Sequence, residues 1–173
     1  LDVSAFALHG ALGYTLSRWG TWWIGGEHNF SSGDKSKTDN DLQTFDNLFP
    51  TNHNKYGYMD LVGWRNTNNA AARISYSPKH LHDLKFAVDY WYFTLAKSTD
   101  DAYRANGAIL RSTMEGASKK LGQEMDATAT YSWNKSLSVL IGYSRFFTGQ
   151  FFKDTVGPSN DIDFSYAQLQ VNF

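Results

Sequence analysis

The sequence predicts an all-β protein, an antiparallel transmembrane β-barrel of outer-membrane type. Three observations lead there. Seven segments alternate apolar and polar residues with period 2, as strands do when their two faces meet different environments. Aromatic residues make up 16% of the chain, yet its mean hydropathy is −0.47. The connections between segments alternate between short turns and long polar loops.

The first segment, VSAFALHGALGYTL, places Phe6, Leu8, Leu12, Tyr14 and Leu16 on one face. Ala5, Ala7, His9, Ala11 and Gly13 share the other. In TWWIGGEHNFSS, Trp22, Ile24 and Phe30 oppose Trp23, Gly25, Glu27, Asn29 and Ser31. In NAAARISYS, Ala70, Ala72, Ile74 and Tyr76 oppose Ala71, Arg73 and Ser75. DLKFAVDYWYFTL sets Leu84, Phe86, Val88, Tyr90 and Tyr92 against Lys85, Ala87, Asp89 and Trp91. QEMDATATYSW is the clearest: Met125, Ala127, Ala129, Tyr131 and Trp133 oppose Glu124, Asp126, Thr128, Thr130 and Ser132. LSVLIGYSRFF puts Leu137, Val139, Ile141 and Tyr143 on one face. The last segment, SYAQLQVNF, alternates Tyr166, Gln168, Gln170 and Asn172 with Ala167, Leu169, Val171 and Phe173. Each segment has the roughly ten residues that a tilted strand needs to cross a bilayer.

A soluble sandwich would also alternate, with its apolar face as the core. The barrel is preferred for two reasons. Tyr131 and Trp133 close their strand beside a turn, as interfacial aromatics do. Short turns fall at SRWG, SPKHLHD and WNKS, whereas long polar loops run from Gly33 to Thr67, Lys97 to Lys120 and Gly149 to Asn160. Short turns on one side and long loops on the other is the outer-membrane asymmetry. Leu169, Val171 and Phe173 then face lipid, and Gln168, Gln170 and Asn172 face a wet lumen.

Composition excludes other classes. The 173 residues suit one domain, and a net charge of −1 offers no footprint for nucleic acid. Cysteine is absent, which removes disulfides, thiolate metal sites and thiol catalysis. No apolar run reaches the ~18 residues of a spanning helix. No nucleophile–base constellation is legible, so no enzymatic role and no cofactor is expected.

Two longer stretches carry a resemblance. TFDNLFPTNHNKYGYMDLVGWRN, from Thr44 to Asn66, follows GEHNFSSGD. LGQEMDATATYSWNKSLSVLIGYSRFFTGQFFKD opens on Gly-x-Glu-x-Asp and contains Gly-Tyr-Ser-x-Phe-Phe-x-Gly. Both are similar to segments of alginate-export family proteins, and the resemblance covers nearly the whole chain. It matches the C-terminal part of that family's barrel, which is longer and has more strands. The resemblance implies an outer-membrane channel for anionic polysaccharide, or more broadly a substrate-selective porin. A last strand ending in Phe173 also resembles the signal read by the bacterial barrel-assembly machinery. The other expected partners are outer-membrane lipid, lipopolysaccharide, and an anionic polysaccharide or small solutes.

Strand parity points the same way. With Phe173 periplasmic, counting back through seven strands starts Leu1 outside, so at least one earlier strand is expected. An eighth strand around Tyr56 to Arg65 would also restore parity. It belongs with the alternative reading, a small eight-stranded barrel with a structural or loop-binding role and a lumen filled by side chains.

The candidate pore-lining residues are the charged and polar groups on the lumen face: His9, Glu27, Asn29, Arg73, Lys85, Asp89, Glu124 and Asp126. Such a lining selects ions or sugars by field and hydrogen bonding. Arg73 suits a uronate carboxylate, because a guanidinium binds bidentately. It also falls opposite Asp89, which makes a structural brace equally open. Glu124 and Asp126 are expected at a solvated extracellular rim. Asp39, Asn40 and Asp41 read as a solvated loop and His80 with His82 as a turn, because neither has a full ligand set. Phe146, Phe147, Phe151 and Phe152 read as an extracellular girdle with loop packing. Arg145 falls on the lipid parity, where it either snorkels to phosphates or is turned inward by a bulge.

Overall fold

The computed structural model describes residues 2–50, 53, 55–81 and 83–172. In chain order the elements are β1 (Asp2–Val3), β2 (Ala7–Ser17), β3 (Gly20–Ser31), β4 (Asp41–Leu42), β5 (Thr67–Pro78), β6 (Leu84–Leu95), β7 (Ala102–Tyr103), β8 (Ile109–Arg111), β9 (Lys120–Ser132), β10 (Leu137–Thr148), α1 (Gln150–Asp154) and β11 (Ile162–Val171). Seven of these strands form one antiparallel sheet, ordered β2-β3-β5-β6-β9-β10-β11. They are the seven alternating segments, joined to their sequence neighbours as a meander. No helix among the described residues is long and apolar enough to cross a membrane. Leu1, His82 and Phe173 lie outside the described residues, and with them the expectations that rested on them.

The two faces of this sheet invert the pattern of a soluble sandwich. The apolar face is left bare: Leu12 is 84% exposed and Leu169 65%, with Leu8, Tyr14, Ile74, Phe86 and Ile141 also exposed. Buried polar groups, among them Asn29, Asn69, Glu124 and Asp126, sit on the opposite face. A sandwich would cover its apolar side. A wall with lipid outside and polar groups inside leaves that side open, as here.

The long connections fold back over the inner face at their end of the sheet. Trp91, Phe93 and Leu95 of β6 meet Leu121, Phe146, Phe151 and Phe152 there, with Tyr56 and Val62 from the loop before β5. A bulge builds part of this core. Phe93 pairs with Gly122, but Thr94 pairs with Lys120, so Leu121 is extra on its strand. Bulges of this kind re-aim side chains, and Leu121 is fully buried. Gly122 sits at φ +153, and a Cβ there would lie 2.4 Å from the Phe147 carbonyl oxygen. Only glycine fits that backbone.

Two expectations change, and one open alternative is decided. Residues 56–65 do not form an eighth strand; this segment runs in turns and bends and buries Tyr56 and Val62 against the inner face. Its apolar residues pack onto the sheet core instead of pairing at an edge. Phe146, Phe151 and Phe152 are core residues, and Phe147 alone of the four faces outward. Arg145 stays outside, because its register with Met125 and Asp163 runs without a break. It pairs with Asp161 and Asp163 at 3.4 Å each and lies over the Phe147 ring. The Thr148 amide holds the Asp161 carboxyl below its ordinary pKa.

The loops are also pinned to one another. Asp100 accepts hydrogen bonds from the Asp34 amide, the Thr44 hydroxyl and the Tyr103 hydroxyl. Burial, and then that bond to Asp100, pushes the Tyr103 phenol well above its usual pKa. Lys37 reaches Asp101 at 2.6 Å, and the Asn66 amide spans the Lys97 and Asp101 carbonyls. Asp39 accepts the Asp41 amide, so it turns back on its own loop.

Candidate pore-lining site

Antiparallel register brings most of the candidate residues into one belt across the inner face. His9 is paired with Asn29 on β2 and β3, Gly25 with Arg73 on β3 and β5, and Arg73 with Asp89 on β5 and β6. Asp89 is then paired with Asp126 on β9, and Asp126 with Ser144 on β10. The period of 2 turns all of these side chains to one side.

The belt is continuous from His9 to Asp89. His9 Nδ1 donates to Asn29 Oδ1 at 2.6 Å. The Asn29 amide donates to Glu27 at 2.9 Å and to Asn69 at 2.8 Å. Arg73 then bridges two carboxylates, donating from Nη1 to Glu27 and from Nε to Asp89, both at 3.1 Å. The Glu27 and Asp89 side chains are 7% and 13% exposed and that of Arg73 26%, so the pairs are largely withdrawn from water. Trp91 lies beside the guanidinium, 5.8 Å from ring centre to charge. Arg73 is therefore a brace held from both sides, with two acids on one cation.

Glu124 and Asp126 depart from the expected solvated rim. They are 0% and 2% exposed. The segment before β5 lies over them, and its backbone supplies their partners. Glu124 Oε1 accepts the Met59 amide at 2.9 Å and Asp126 Oδ2 the Tyr58 amide at 3.3 Å. Gly57, at φ +79, makes that approach possible, because a Cβ there would lie 2.3 Å from Glu124 Oε1. The expectation failed because loop length predicts exposure only when the loop stays outside.

Lys85 stands apart. It is exposed, and no hydrogen bond or ion pair engages it among the described residues. It lies in the wall of a cleft of about 610 Å³ toward the short-turn end, with Thr21, Ser75, Thr128 and Thr130. Tyr58 and Arg73 line the same cleft. Thus an unpaired ammonium stands among hydroxyl groups, a surface that can hold an anionic or hydroxyl-rich solute by charge and hydrogen bonds.

Asn69, Ser144 and Tyr166 were not among the expected site residues. All three lie on the inward parity of their strands, so alternation alone would have found them. Tyr58 had no such signal, because it reaches the inner face from a loop. It stacks on Tyr166 with ring centres 4.8 Å apart.

A comparison with protein families matches residues 2–164 to the model for alginate export. The chain belongs to the alginate export family. That is a transport family of outer-membrane barrels, and the apolar outer face and polar inner belt are what such a wall requires. No curated protein matches the chain. Among the described candidate residues, Lys85 is unpaired, while Arg73 is committed to Glu27 and Asp89.

Proposed function

We propose that the chain forms part of the wall of a bacterial outer-membrane channel that passes an anionic polysaccharide or smaller anionic solutes. The observation that carries this reading is Lys85, exposed and unpaired among wall hydroxyls in a member of the alginate export family. The bare apolar face takes membrane lipid and lipopolysaccharide. The last strand engages the barrel-assembly machinery. The inner groups serve passage and carry no catalysis.

The test is ion preference in planar bilayers with the natural polypeptide. Lys85→Ala is expected to lower anion over cation permeability, and the loss should shrink as salt rises, since screening shortens from ~10 Å at 0.1 M to ~3 Å at 1 M. Unchanged preference at low salt would remove Lys85 from the pathway.

A second reading has one observation in its favour. The inner face at the long-loop end is filled by Tyr56, Val62, Trp91 and Phe93, as in a barrel that transports nothing. Conductance separates the two: a filled, non-transporting barrel is silent as the natural polypeptide, and a channel is not.

A further inference from the structure

We propose that Glu124, Asp126, Ser144 and Tyr166 form a binding site for a hard cation of the calcium class, held between the inner face of the sheet and the segment that covers it. The argument starts from how each carboxylate divides its oxygens. Glu124 gives Oε1 to the Met59 amide and Asp126 gives Oδ2 to the Tyr58 amide. The other oxygen of each, Glu124 Oε2 and Asp126 Oδ1, is buried and has no hydrogen-bond partner. The two carboxylates adjoin one another. Ser144 lies beside both Asp126 and Tyr166. It is 0% exposed, and its hydroxyl and that of Tyr166 meet only weakly aligned partners within this same group. Four oxygens from β9, β10 and β11 therefore share one buried patch, where their neighbours are one another and Tyr58.

Two adjacent buried carboxylates are balanced either by a proton shared between them or by a cation. Arg73 donates to Glu27 and Asp89, and only its field reaches Asp126. Asp60 adds negative field to Glu124 from the covering segment, and Asp89 faces Asp126 across the strands. His53 is engaged with Asp60. Two buried carboxylates side by side without a counterion repel each other and lose hydration. A cation between Oε2 and Oδ1 removes both penalties. The donor set is oxygen only, two of them anionic, which suits calcium or magnesium and disfavours zinc or copper. Calcium, with its longer bonds and flexible coordination, tolerates a site that mixes carboxylates, hydroxyls and water. Because the same carboxylates hold the Tyr58 and Met59 amides, a bound cation also fixes the covering segment to the wall.

Terbium(III) is the probe, since it replaces calcium and its emission is sensitised by nearby tyrosines. Here Tyr58 and Tyr166 are stacked at the site. The natural polypeptide is refolded into detergent free of lipopolysaccharide and titrated. The expected result is saturable emission at one equivalent per chain, displaced by calcium, with an unfolding temperature that rises with calcium and falls with chelator. Glu124→Gln and Asp126→Asn should each weaken terbium affinity by about tenfold or more, as losing one charged ligand does. Ser144→Ala should weaken it less, and Asp39→Asn, in the exposed loop, should leave it unchanged. Absence of saturable emission from the unsubstituted protein overturns the site, whether or not the variants fold. So does emission that survives the double substitution.

Discussion

Arg73 decides more about this wall than its charge alone suggests. A single guanidinium joins β3, β5 and β6 by donating to Glu27 and Asp89 from different nitrogens. Lysine is a point charge without that fork. Arg73→Ala is therefore expected to destabilise the barrel by about 3–5 kcal/mol, the cost of leaving buried carboxylates without their cation. The guanidinium is 26% exposed, which places the loss toward the lower end. Urea unfolding in micelles measures it, and Arg73→Lys should recover only part. Lys85→Ala should leave the same unfolding midpoint in place, because no partner is orphaned. If Arg73→Ala unfolds like the parent while ion preference changes, the brace is wrong and Arg73 is an open anion site.

At the scale of strands, facing decides cost. Ile141 and Thr128 lie on neighbouring strands, β10 and β9, near the middle of the sheet, but on opposite faces. Ile141→Arg puts a charge into lipid and should cost about 2–4 kcal/mol if that level is near the bilayer midplane. Thr128→Arg faces the cleft and should cost less. Equal costs in a bilayer folding assay would mean that the faces are reversed. The bulge makes a second demand on β9. Gly122→Ala forces a side chain into a conformation that only glycine adopts easily, against the Phe147 carbonyl. The expected loss is on the order of 1–3 kcal/mol, read from the same unfolding curves. An unchanged midpoint would mean that the bulge relaxes.

For the molecule as a whole, the long connections act as an inner layer. The segment from Lys55 to Val62 buries Tyr56 and Val62 on the sheet and covers Glu124 and Asp126. Replacing residues 55–62 by a short glycine–serine linker should raise single-channel conductance several-fold, as the pore cross-section grows. It should also lower the unfolding temperature, since the apolar contacts with Trp91 and Phe93 are lost. Conductance that stays at the parent value would place this segment away from the narrowest point.

The strand pattern was legible because a strand has only two faces, so a period of 2 written in residues such as Leu8, Ile141 and Leu169 names the face of every neighbour. Three of the six pairings followed, β2–β3, β5–β6 and β9–β10, since short turns join antiparallel neighbours. The inward facing of His9, Glu27, Asn29, Arg73 and Asp89 was legible for the same reason, and the short turn between β5 and β6 put Arg73 opposite Asp89. What lay beyond the sequence was the path of the long loops. Nothing periodic marks Tyr56, Tyr58 or Val62, and their positions come from burial against Trp91 and Phe93, contacts many residues away. The fate of Glu124 and Asp126 depended on that packing. An acid at a strand end is solvated if the loop leaves and buried if it returns. The same holds for Arg73: alternation puts it opposite Asp89, but only register across three strands shows that Glu27 shares it. Local alternation decides which way a side chain points; long-range packing decides what meets it there.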